Sequence, residues 1–232
     1  MNPIFVAIDT ADLERAKALV ESVRNEAGGI KLGLEFFSAL GPEGVREISS
    51  IGLPVFLDLK LHDIPNTVAK TVHALAPLKP AILTVHAAGG HEMLREAKRA
   101  APRGTKIVAV TLLTSLDSSD LEDLGIERSP ADQVTRLTWI ARDAGIDGIV
   151  CSGAEVAEAR AAWTDGFFVV PGIRPQGAAI GDQKRVVSPA RALEDGASVL
   201  VIGRPITGAD DPRRAIMEIA ATLPQMPAEA RT

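Results

Sequence analysis

The sequence predicts a single-domain α/β protein, a closed (β/α)8 barrel of the TIM-barrel class. Three observations carry this. Short apolar runs rich in Val, Ile and Phe alternate with longer segments of helical periodicity along the 232 residues. Near-continuous apolar strands of this kind belong to a parallel sheet covered by helices. Eight such strand–helix units fit in the chain, as a closed barrel requires. A doubly wound open sheet is the competing reading, but it favours a Gly-x-Gly turn after its first strand, and here that strand ends in Ile8-Asp9-Thr10.

The eight expected strands are Ile4–Ile8, Gly29–Leu32, Val55–Leu59, Ile82–Val85, Ile107–Thr111, Gly148–Cys151, Phe167–Val170 and Val199–Ile202. Each is short and bounded by polar, Gly or Pro residues. Between them, helices are expected near Leu13–Glu26, Glu35–Ser49, Asn66–Ala76, His91–Ala101, Pro130–Ala144, Glu155–Trp163, Pro189–Glu194 and Pro212–Leu223. Ser188-Pro189 and Asp211-Pro212 pair a capping side chain with proline in the first helical turn. The segment Leu113–Ser129 is longer and more polar than the other connections and is expected to be a loop able to act as a lid. The barrel is expected over residues 1–225, with 226–232 as a frayed tail.

Composition narrows the function. Twenty-five basic against 30 acidic residues give a net charge of -5, which leaves no basic footprint for nucleic acid. No apolar run approaches the ~18 residues of a membrane span, and the N-terminus has no basic region or cleavage site, so a cytoplasmic protein is expected. Cys151 is the single cysteine and reads as a small buried hydrophobe.

In a barrel, chemistry gathers at the C-terminal ends of the strands. There the sequence places Asp9, Lys31, Asp58, Lys60, Asp63, His86, Thr111, Thr114, Arg174, Gly203 and Arg204. The segment Phe56-Leu-Asp-Leu-Lys-Leu-His-Asp-Ile-Pro65 is the most informative. Asp58 and Lys60 share a strand face by parity, and Asp63 follows at the start of a new element. Charges at a largely buried strand end require partners, so the three are expected to form a mutually neutralising network. A lysine between aspartates is an ammonium donor or electrostatic anchor, not an imine-forming amine, which needs an apolar or cationic pocket. His62 lies between the charged positions and is expected to face outward. His73 reads as structural, and His86 as a rim residue held by hydrogen bonds. Gly203-Arg204 and Pro171-Gly172 follow the last two strands, where barrels bind phosphate: glycine admits the backbone to an anion, and arginine offers a bidentate fork. A metal site at Asp9, Asp58, Asp63 and His86 is a rival, weakened by Lys31 and Lys60 at the same rim and by the lack of a His-x-His pair.

These motifs together resemble the bacterial orotidine 5′-phosphate decarboxylase family. The resemblance rests on Asp58-Leu-Lys60-Leu-His-Asp63-Ile-Pro65-Asn-Thr67, with Asp9, Lys31, Pro171-Gly-Ile-Arg174-Pro-Gln176-Gly and Val201-Ile-Gly-Arg204-Pro. It runs from about Phe5 to Pro212 with the motifs in order. It implies a homodimeric barrel that converts orotidine 5′-phosphate to UMP and CO2 at the end of pyrimidine synthesis, with no cofactor or metal. By the resemblance, Lys60 is the general acid that protonates C6 and Asp58 lies against the substrate carboxylate. Lys31 and Asp63 complete the charged array, and Asp9 and Lys31 contact the ribose. Asp63 and Thr67, with Ile64 between them, serve a site shared across the dimer. Thr114 contacts the base. Arg174, Gln183, Gly203 and Arg204 face the phosphate, with Gln176 a second glutamine in the same loop. A metal-dependent sugar-phosphate decarboxylase or epimerase on the same barrel, and a non-catalytic nucleotide-binding barrel, are the alternatives.

Overall fold

A computed structural model describes residues 2–175 and 187–224. Eight parallel strands close into a barrel in sequence order, each paired with the next and the last with the first. They are β1 (Ile4–Ile8), β2 (Gly29–Leu32), β3 (Val55–Leu61), β4 (Ile82–His86), β5 (Lys106–Val110), β6 (Gly148–Val150), β7 (Phe167–Val170) and β8 (Val199–Ile202). Four of the eight expected strands match to the residue and three more match within one residue at each end; the largest difference is β3, which runs two residues further. The helices are α1 (Leu13–Val23), α2 (Leu34–Ser49), α3 (Pro65–Leu75), α4 (Gly90–Ala100), α5 (Ser118–Asp123), α6 (Pro130–Asp143), α7 (Val156–Ala162), α8 (Pro189–Glu194), α9 (Arg204–Thr207) and α10 (Pro212–Ala221).

Local chemistry accounts for the helix starts. Asp12, Ser129, Ser188 and Asp211 each accept a hydrogen bond from the backbone N–H three residues on, satisfying one of the orphan donors of the first turn. Pro opens α3, α6, α8 and α10, where its missing N–H costs nothing. Helix α2 is broken at Gly41-Pro42, where Gly41 has a φ of 60°. Two helices were not expected. Residues 113–129 contain α5, started by a reciprocal cap between Asp117 and Asp120, so the segment is partly ordered rather than a plain loop. Gly203-Arg204 leads directly into α9.

Strand parity divides the core in two. One set of side chains, including Ile8, Ile30, Leu32, Leu57 and Leu83, packs outward against the helices. The other set fills the barrel interior: Phe5, Ala7, Phe56, Ile82, Val108, Val169, Val199 and Val201. Two positions further along several strands, the same inward face carries Asp9, Asp58, Thr84, Val110 and Gly203. The interior thus changes from apolar to polar toward the C-terminal end. The opposite end is tied by Lys98 of α4, whose ammonium reaches both oxygens of Asp147 at 2.7 Å, while Asp147 also accepts from the Ile107 N–H of β5 at 2.8 Å.

Candidate active site

At the C-terminal mouth of the barrel lies a cleft of about 510 Å³, within the size of small-molecule sites. It is lined by Asp9, Lys31, Asp58, Lys60, Thr114, Arg174, Gly203 and Arg204, so eight of the twelve positions expected to bind substrate meet in one place. Its floor is Ala7, Phe56, Val110, Val150, Cys151, Val169 and Val201. Cys151 is buried as expected and is also part of this floor.

Two ion pairs stand in the cleft. Lys60 Nζ donates to Asp58 Oδ2 at 2.7 Å, and Lys31 Nζ donates to Asp9 Oδ1 at 2.8 Å. Lys31 is nearly covered, with a side chain 11% exposed, whereas Asp9 at 55% opens toward solvent. Gly33 makes the Lys31 geometry possible: a Cβ at that position would stand 2.9 Å from the ammonium nitrogen. Gly172, at φ 75°, turns the chain after β7 so that Arg174 returns to the cleft.

The β3 tip departs from simple strand parity. Lys60 has a φ of 50°, one of two non-glycine residues in the left-handed region among the described residues. The β3–β4 register also shifts here: Leu57 pairs with Leu83 and Leu61 with Val85, so Asp58, Leu59 and Lys60 all stand opposite Thr84 alone. Of the expected three-way network of Asp58, Lys60 and Asp63, only the Lys60–Asp58 pair forms within the chain. Asp63 makes no ion pair among the described residues; it is exposed, and its carboxylate accepts from the Ile64 N–H at 2.7 Å. Ile64 and Thr67 are exposed too, and none of the three lines the cleft of this single chain. Gln176 and Gln183 lie outside the described residues.

The histidines form a second feature of the rim. His62 is exposed, yet its ring stacks on His86 with centroids 5.3 Å apart, so it does not simply face outward. Burial disfavours the charged form of His86 and holds it below its ordinary 6.5; His62 and Lys60 push the same way, and Asp58 opposes them. Among the described residues no three His, Cys, Asp or Glu side chains gather in a way that could hold a metal ion, and no helix is long and apolar enough to cross a membrane.

Sequence reasoning passed over Thr84 and Gly33. Thr84 was detectable as a polar residue on the inward face of an otherwise apolar strand. Gly33 had no signal of its own, because its role follows from where the Lys31 side chain ends.

The comparisons with known proteins decide the family. Residues 2–219 match the orotidine 5′-phosphate decarboxylase/HUMPS family. The chain belongs to this family. Among curated relatives, an orotidine 5′-phosphate decarboxylase of Sphingopyxis alaskensis is 63% identical over 222 residues, covering 96% of this chain and 99% of the relative. One from Erythrobacter litoralis is 60% identical with the same coverage. Among solved structures, orotidine 5′-phosphate decarboxylase from Lactobacillus acidophilus superposes with a TM-score of 0.81 at 35% identity, covering 95% of this chain and 98% of that one.

Proposed function

We propose that this protein is a cytoplasmic, cofactor-independent decarboxylase that converts orotidine 5′-phosphate to UMP and CO2, the closing step of pyrimidine nucleotide synthesis. The observation that carries the reading is the Lys60–Asp58 pair at 2.7 Å within a family member's cleft that also holds two arginines.

The chemistry follows from the groups at hand. Breaking the bond from C6 to the carboxylate leaves an electron pair in the plane of the pyrimidine ring, with no conjugated sink. Lys60 Nζ stabilises that pair as it forms and then transfers a proton to C6. CO2 departs, and the amine regains its proton from water. Preorganised charge of this kind is usually the largest catalytic term. Two unit charges 4 Å apart interact by about 4 kcal/mol at an effective dielectric of 20. Enzymes supply roughly 8–23 kcal/mol, so one contact is too little. The remainder comes from binding energy of remote groups: Arg174, Gly203 and Arg204 on the phosphate with Gln183, Asp9 and Lys31 on the ribose, and Thr114 on the base. Asp58 lies against the departing carboxylate. Asp63, Ile64 and Thr67, exposed in one chain, complete the site of a second chain in a homodimer.

The test is loss of orotate-ring absorbance when chelator-treated protein meets orotidine 5′-phosphate. Rapid loss with UMP as the product is expected. No loss until a divalent metal is restored moves the protein to metal-dependent sugar-phosphate chemistry, and no turnover with tight UMP binding makes it a binding protein.

A further inference from the structure

Thr84 is fully buried, does not line the cleft, and has no part in the chemistry above. Its hydroxyl nevertheless touches both members of the central pair. It accepts from the Lys60 backbone N–H at 2.8 Å and donates to Asp58 Oδ1 at 3.1 Å. The direction is fixed by inventory: a backbone N–H can only donate, so the single hydroxyl proton goes to the carboxylate. With Lys60 Nζ on Asp58 Oδ2 the contacts close a ring, in which each carboxylate oxygen receives one donor.

We infer that Thr84 is a positioning residue of the active site, whose hydroxyl holds the Lys60 backbone in its left-handed conformation and fixes the rotation of Asp58. This rests on the decarboxylase reading for its kinetic consequence, but not for its geometry. The register explains the need. Three β3 residues face Thr84 alone, so the regular backbone ladder is interrupted at Lys60. Its N–H would be a buried donor without a strand partner, and the hydroxyl takes the place of that partner. A left-handed φ of 50° on a lysine persists only where the surroundings over-determine it. The hydroxyl is also what keeps Asp58 from turning out of line with the ammonium.

The test compares Thr84→Val, which keeps the shape and loses the hydroxyl, with Thr84→Ser, which keeps the hydroxyl. Thr84→Val is expected to lower kcat about 100-fold, the scale of a roughly 1 Å misplacement, with KM and UMP affinity changed less than about 3-fold. Thr84→Ser is expected to recover most of that loss. A Val variant with kcat within about 3-fold of the parent, or a Ser variant as impaired as Val, overturns the assignment. If the Val variant does not fold, Thr84→Cys carries the same comparison, since a thiol is a weak donor and acceptor. If the parent protein does not turn over orotidine 5′-phosphate, the decarboxylase reading fails, and crystal structures decide the positioning role. Lys60 leaving positive φ in the Val variant and keeping it in the Ser variant upholds the role; Lys60 and Asp58 unmoved in the Val variant overturns it.

Discussion

Lys60 carries two unfavourable features at once, a charge in a cleft and a backbone conformation that costs on the order of 1–3 kcal/mol for a non-glycine residue. Both are tolerated because the same few atoms compensate them: Asp58 takes the ammonium and Thr84 takes the N–H. Lys60→Ala is therefore expected to abolish measurable turnover, because the proton donor is gone, while UMP still binds through Arg174, Arg204 and the Lys31–Asp9 pair. Calorimetric titration with UMP alongside the absorbance assay checks this, and normal activity in the variant would refute the role. The stacked His86 makes a separate prediction about pH. Its ring resists protonation in the folded state, whereas the unfolded ring takes a proton near 6.5. As pH falls below 6.5 the unfolded chain gains a proton that the folded chain does not, so stability declines until the pH drops below the lowered folded value. Thermal unfolding between pH 7.5 and 5.5 is expected to show this decline, and His86→Asn to flatten it. Parallel curves for the two proteins would remove His86 as the cause.

At the scale of elements, the barrel separates stability from chemistry along its axis. The Lys98–Asp147 contact joins α4 to the start of β5 and the approach to β6, at the end away from the cleft. Hydrogen bonds to a charged group are worth about 1.5–3 kcal/mol, so Asp147→Ala is expected to destabilise by about 2 kcal/mol. For a chain of this length that is a Tm about 4–8 °C lower, with kcat and KM unaltered. Calorimetry and kinetics on one preparation test it, and a loss of kcat at full stability would contradict the separation. The same axis explains what could be read from the sequence. Apolar runs and capping residues specify β1, β2, β7 and β8 to the residue, because their periodicity and their partners in the core agree. The β3 tip resisted this reading, since parity assumes a regular strand and Lys60 leaves one. The pairing of Lys31 with Asp9 rather than with the Asp58 cluster was equally hidden, because it depends on how a long side chain crosses between neighbouring strands. Helix α5 lay inside a stretch of Ser and Asp that reads as loop, although Asp117 and Asp120 form the reciprocal cap that starts it.

At the scale of the whole molecule, the proposed homodimer makes its own demand on how the expected site residues are distributed over one chain. Eight of the expected residues converge in the cleft, while Asp63, Ile64 and Thr67 sit together at the start of α3, exposed and outside its lining. Ile64 is 66% exposed, a large apolar surface beside a carboxylate that makes no ion pair among the described residues. A second copy related by a two-fold axis would cover Ile64 and carry Asp63 to the partner's Lys60–Asp58 pair, and the same contact would be made in return. This arrangement makes a complementation prediction. Lys60→Ala and Asp63→Ala are each expected to be inactive as pure proteins. If sites are shared, the mixed dimer has one site that lacks both groups and one that retains both. Random reassortment of equal amounts makes half the dimers mixed, so about one quarter of parental activity should return. Refolding the two variants together and following orotate absorbance measures it. Activity that stays at the level of the separate variants would mean that each chain builds its own site, and that Asp63 serves the chain on which it sits.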